Sequence, residues 1–122
     1  MTDPGAAGAA ARRIEALQRL LESGQDNAAL RFGLGNAYMN VQDYAQAADH
    51  LGRAVALDPG YSAAWKRLGK ALSGLGARGQ AVQAYRRGIE AARQHGDLQA
   101  VREMEVFVRR LETGGAQEGN TG

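Results

Sequence analysis

A chain of 122 residues with no cysteine and a formal net charge of +2 is sized for one domain. It excludes disulfides, thiolate metal sites and thiol nucleophiles together. No run approaches the roughly 18 consecutive apolar residues of a membrane span, and no apolar leader precedes Arg12 and Arg13, so the sequence reads as a soluble protein of the cytoplasm.

The first residues, 1–8, are small and polar and are expected to be disordered. Ile14, Leu17, Leu20 and Leu21 then share one face of a helix within 9–24, closed by Ser23-Gly24. In the next helix Leu30, Leu34, Ala37, Tyr38 and Val41 follow the 3.6-residue period. Asp43 marks a turn and caps a third helix, whose apolar stripe is Tyr44, Ala47, Ala48, Leu51, Ala54 and Val55. Asp58-Pro59-Gly60 ends it, because proline cannot continue a helix and disfavours α conformation before it. Trp65, Leu68, Ala71, Leu72 and Leu75 form a fourth stripe, and Gly74, Gly76 and Gly79 loosen the turn that follows. Ala81, Val82, Ala84, Tyr85, Gly88, Ile89 and Ala92 make the fifth. Asp97 caps a last helix over 97–112 bearing Leu98, Val101, Met104, Val108 and Leu111. Val106 and Phe107 add apolar bulk outside that stripe, placed to close a groove or to form a self-association patch. The tail, 113–122, is too polar and glycine-rich to pack and is expected to be disordered.

Residues 28–61 align with 62–95 at an offset of 34. Identities fall at Ala29/Ala63, Leu34/Leu68, Gly35/Gly69, Ala37/Ala71, Gln46/Gln80, Ala47/Ala81 and Arg53/Arg87. Small and large residues recur where a helix hairpin needs them, since Gly35, Ala37 and Ala47 let two backbones approach closely. Charge divides unevenly between the units: 28–61 carries a net −1 and 62–95 a net +6. The second unit therefore favours acidic partners.

This pattern resembles the tetratricopeptide-repeat family. Leu34-Gly35, Tyr38, Ala47, Leu51, Ala54 and Pro59 match its motif in the first unit, and Trp65, Leu68-Gly69, Ala81 and Tyr85 in the second. The departures are Arg31 where an aromatic is common, Leu72 for Tyr, Gly88 for Ala, and Arg93 in place of the closing proline. The last implies a helix that runs on towards His95-Gly96. The resemblance implies an all-α fold, with helical hairpins stacked as a short right-handed solenoid of about six helices. A single domain over 9–112 would hold a capping helix (9–24), two repeats (28–61 and 62–95) and a second capping helix (97–112).

Little chemistry suits catalysis. His50 and His95 stand alone, without carboxylates at triad or metal spacing, and Ser23, Ser62 and Ser73 have no adjacent base. Gly33-Leu34-Gly35 lies within a helical stripe and lacks a preceding strand, so it is no phosphate loop. The chain is read as a non-enzyme without cofactor or metal. In the family, the first helices of successive repeats line a concave face that holds a peptide. By resemblance its positions here are Phe32, Asn36, Met39 and Asn40, then Lys66, Lys70 and Ser73. These share one face of each helix, away from the packing stripes. An amide can pair with a peptide backbone, two lysines suit a carboxylate, and Phe32 and Met39 either hold an apolar side chain or pack in the core. Some members clamp the acidic tails of heat-shock chaperones with Lys, Asn, Asn, Lys and Arg. Asn36 matches one clamp position, but Phe32 stands where a lysine belongs and Arg67 replaces the second Asn, so that clamp is incomplete.

The function expected is therefore an adaptor binding a protein or peptide, acidic or C-terminal in character. Two other classes compete. A short array with exposed stacking faces can be a structural subunit, a monomer that self-associates weakly. The basic second unit, with Arg78, Arg86, Arg87 and Arg93, can meet nucleic acid, although no aromatic stacking platform accompanies it.

Overall fold

Helices α1 (Pro4–Glu22), α2 (Ala28–Asn40), α3 (Tyr44–Leu57), α4 (Ser62–Gly74), α5 (Arg78–Gln94) and α6 (Leu98–Thr121) make up the chain. The computed structural model describes the backbone of residues 4–121 and side-chain surroundings between Gly8 and Gly114; among these there is no strand. Each helix packs on the next, and α2 also touches α4. Of the stretches expected to be disordered, residues 1–3 and 122 lie outside the described residues, while α1 begins at Pro4 and α6 extends to Thr121. Proline at a first helical position is favourable, since its missing N–H has no intrahelical acceptor there.

Side chains set the starts of α2, α3 and α6. Asn27 Oδ1 accepts from the Leu30 N–H at 2.8 Å, Asp43 Oδ1 from Gln46 at 3.1 Å, and Asp97 Oδ1 from Ala100 at 3.1 Å. Asp43→Ala should cost about 1 kcal/mol, read as a fall in thermal midpoint by circular dichroism. Helices α2 and α4 begin 34 residues apart, but α4 and α6 begin 36 apart. The difference arises in α5, which has 17 residues against 14 in α3 and runs to Gln94 without a proline to stop it.

Leu34, Leu51, Tyr85 and Met104 are fully enclosed. The expected close approaches occur. A Cβ on Gly35 would lie 2.6 Å from Leu51 Cδ2, and one on Gly69 2.6 Å from Tyr85 Cε1, so the same glycine-to-bulk contact recurs in both hairpins. Gly88 has the same cause: a methyl there would meet Met104 Sδ at 2.6 Å and Trp65 Cβ at 2.9 Å. Four residues of the expected stripes are instead exposed: Leu20 near the end of α1, Val41, Leu75 and Leu98. Val41 and Leu75 are C-caps where the chain leaves its helix, and Leu98 opens α6, so none of these three reaches the interhelical seam.

Arg31, at an aromatic position of the motif, is 8% exposed. Burial is tolerated because every side of its guanidinium has a partner. Nε and Nη2 donate to the two oxygens of Asp26 at 2.8 and 3.0 Å, and Nη1 lies 3.1 Å from His50 Nδ1. Arginine has no acceptor, so Nδ1 accepts and His50 is neutral. Burial, and next the Arg31 charge, push its pKa below the usual 6.5. The His50 ring stacks on Tyr38 at 5.5 Å and 3°, and Tyr38 Oη accepts from Gln18 Nε2 of α1 at 2.8 Å. This polar network fastens α1 to the first hairpin.

Candidate protein-binding face

The first helices of the hairpins, α2 and α4, meet directly, and α4 is joined to α6 by side chains from the stripe expected to bind a ligand. Lys66 Nζ donates to Glu103 Oε2 at 3.1 Å. That hydrogen bond holds the Glu103 carboxyl below its ordinary range, with help from Gln99 Nε2 at 3.3 Å. One turn on, Lys70 Nζ lies 5.5 Å from the centroid of Phe107, which itself stacks on Tyr85 at 5.2 Å. Lys66 and Lys70 of α4 thus meet Glu103 and Phe107 of α6 side by side.

The seven expected site residues divide by depth. Asn40, Lys70 and Ser73 are exposed. Phe32 and Met39 are half-buried and pack against the cluster of Leu51, Val55 and Leu68, with the Phe32 ring 4.8 Å from Tyr61. Core packing therefore engages both. Asn36 is half-buried, and its Oδ1 is enclosed with no hydrogen-bond partner among the described residues. An enclosed amide oxygen without a donor costs about 1–3 kcal/mol. Glu103 and Gln99 lie outside the seven expected residues, and Phe107, expected to close a groove or to form a self-association patch, meets Lys70 here.

Helix α6 answers much of the basic charge of the second unit. Besides Lys66–Glu103, Arg86 meets Glu112 at 3.3 Å and Arg93 lies 4.0 Å from Glu105. Arg87 lies over the Trp65 ring at 5.3 Å. Of the arginines considered for nucleic acid, Arg86 and Arg93 thus face carboxylates of α6 and Arg87 faces an aromatic ring. Neither histidine meets a carboxylate: His95 Nε2 is 3.1 Å from the Gly60 carbonyl oxygen. Among the described residues no group of His, Asp and Glu is arranged to hold a metal ion, and no helix is long and apolar enough to cross a membrane.

The profile of a tetratricopeptide-repeat family matches residues 7–92. The TPR repeat-containing protein PA0015 of Pseudomonas aeruginosa is 50% identical over 99 residues, which cover 81% of this chain and 94% of that protein. The solution structure of protein BPP2914 from Bordetella parapertussis is 45% identical with a TM-score of 0.75, covering 88% of this chain and 93% of that one. The second TPR domain of human RPAP3, solved in complex with the HSP70 peptide SGPTIEEVD, is 26% identical with a TM-score of 0.68, over 81% of this chain and 83% of that one.

Proposed function

The chain belongs to the tetratricopeptide-repeat family, whose repeats are protein-interaction modules, and from that premise we propose that it is an adaptor holding a peptide segment in the concave groove of α2, α4 and α6. The observation that carries this reading is the Lys66–Glu103 pair. On the expected ligand face a lysine already holds a carboxylate, supplied by the chain itself. With Lys66 28% exposed and Glu103 43% exposed, that pair contributes little to stability and is exchangeable. A partner carboxylate can displace Glu103, and Lys70 stands exposed one turn away. The segment proposed is acidic or C-terminal. The peptide bound by the human RPAP3 domain, SGPTIEEVD, is itself acidic.

Lys66→Glu/Lys70→Glu should lose a partner that the wild-type chain retains from source-cell lysate, with helical circular dichroism unchanged. Glu103→Gln should retain the same partner more strongly, because the internal competitor is gone. Equal retention by all three proteins would sink the groove reading. No retained protein, together with a dimer mass by light scattering, would move function to self-association.

A further inference from the structure

A groove of about 640 Å³ opens between α4 and α5. Trp65, Leu68 and Leu72 follow at i, i+3 and i+7, so they share a face of α4 more than about a third of a turn away from Lys66, Lys70 and Ser73. Buried Leu68 and Ala84, with half-buried Trp65 and Leu72, form its floor. Exposed Gln80, Gln83, Arg86 and Arg87 form its rim, and no acidic residue lines it.

The first hairpin shows what fills this place. Thirty-four residues earlier stand Arg31, Leu34, Tyr38 and His50, and the matching contacts Gly35–Leu51 and Gly69–Tyr85 establish that the two hairpins are built alike. There the space is taken by the parallel rings of Tyr38 and His50 and by a guanidinium bound through both oxygens of Asp26. In the second hairpin Leu72 replaces Tyr38 and Ala84 replaces His50, so both rings are gone while the helices keep their approach. The cations remain. Arg87 lies over Trp65, and Arg86 reaches Glu112 at 3.3 Å through an exposed, weak pair.

We propose that this groove docks a partner segment presenting an aromatic side chain with a carboxylate beside it. The partner supplies the ring and the carboxylate that Tyr38, His50 and Asp26 supply from within the chain one repeat earlier. The ring lies against Leu72 and Ala84, and the carboxylate meets Arg87 and Arg86. This surface is separate from the face of Lys66 and Lys70.

Trp65 is the single tryptophan of the chain and lines the groove, so its fluorescence reports occupancy. The probe is the acetylated and amidated peptide Gly-Asp-Phe-Glu-Gly, titrated into the full chain. Its saturable change in emission should weaken by about fivefold or more when leucine replaces phenylalanine or lysines replace the two acids. Leu72→Tyr/Ala84→His, which installs the ring pair of the first hairpin, should abolish the response. Because that variant adds bulk beside the core, Arg87→Glu on the exposed rim is the second test and should weaken the peptide about fivefold. Lys66→Glu/Lys70→Glu should leave the titration unchanged. Absence of a saturable response, or a response that survives in both groove variants, would overturn the proposal. So would an emission change with protein concentration alone, accompanied by a doubled mass, which would give the groove to a second copy.

Discussion

Leu51→Ala should lower unfolding free energy by about 3 kcal/mol and Gly35→Ala by about 2 kcal/mol, yet the double variant should lose less than their sum. Leu51 is 0% exposed, so its truncation leaves a void in the middle of the first hairpin. The Gly35 methyl meets the same side chain at 2.6 Å from Cδ2, and Leu51 is enclosed and cannot swing aside. In the double variant the added methyl enters the space that the leucine leaves. Coupling of about 1 kcal/mol or more is expected from urea unfolding. Strictly additive losses would show that the hairpin is not held at the spacing these contacts define.

Asp26→Ala should destabilise the chain more than Arg31→Met/Asp26→Ala. The single variant leaves a guanidinium, 8% exposed, without its carboxylate, whereas the double removes the buried charge and keeps an apolar stem. Acid should probe the same network. Folded His50 resists protonation, while in the unfolded chain it titrates near 6.5. Below that value the unfolded chain takes up a proton that the folded one refuses, so stability falls as pH drops from about 6.5 towards 5. Asp49 near His50 opposes this shift, but burial and Arg31 outweigh it. Asp26, held below its usual 3.8 by the Arg31 hydrogen bond, adds a second loss at lower pH as its carboxylate is protonated. Urea midpoints measured across this range should slope for wild type and flatten above pH 5 for His50→Phe. Equal slopes for the two proteins would contradict the arrangement.

The hairpins could be read from sequence because their determinants are local. Gly35 with Leu51 and Gly69 with Tyr85 lie 16 residues apart, and Asp43 and Pro59 punctuate the chain where they stand. The register of α6 could not be read so directly, since it depends on how far α5 runs once its closing proline is missing. For the same reason the sequence does not point to a partner for Glu103. Its partner Lys66 lies 37 positions away across a unit boundary, and pairing depends on the 36-residue step from α4 to α6. Arg31 looked like a plain departure from the motif. The cause lies in Asp26 and His50, whose side chains point at it from a loop and from the next helix. The groove between α4 and α5 did leave a signal: the aligned pairs Tyr38/Leu72 and His50/Ala84 both lose a ring. The volumes at these mismatched positions, rather than the identities around them, carry that information.

In the proposed function a partner segment lies along the face of α2, α4 and α6. Photocrosslinking in source-cell lysate tests it most directly, with a photoreactive side chain placed singly at Asn40, Ser73 or Glu90. All three positions are exposed, and Asn40 and Ser73 belong to the proposed face while Glu90 lies on α5. The same partner should crosslink from Asn40 and from Ser73, and not from Glu90. Crosslinks from Glu90 with none from the other two would contradict the account.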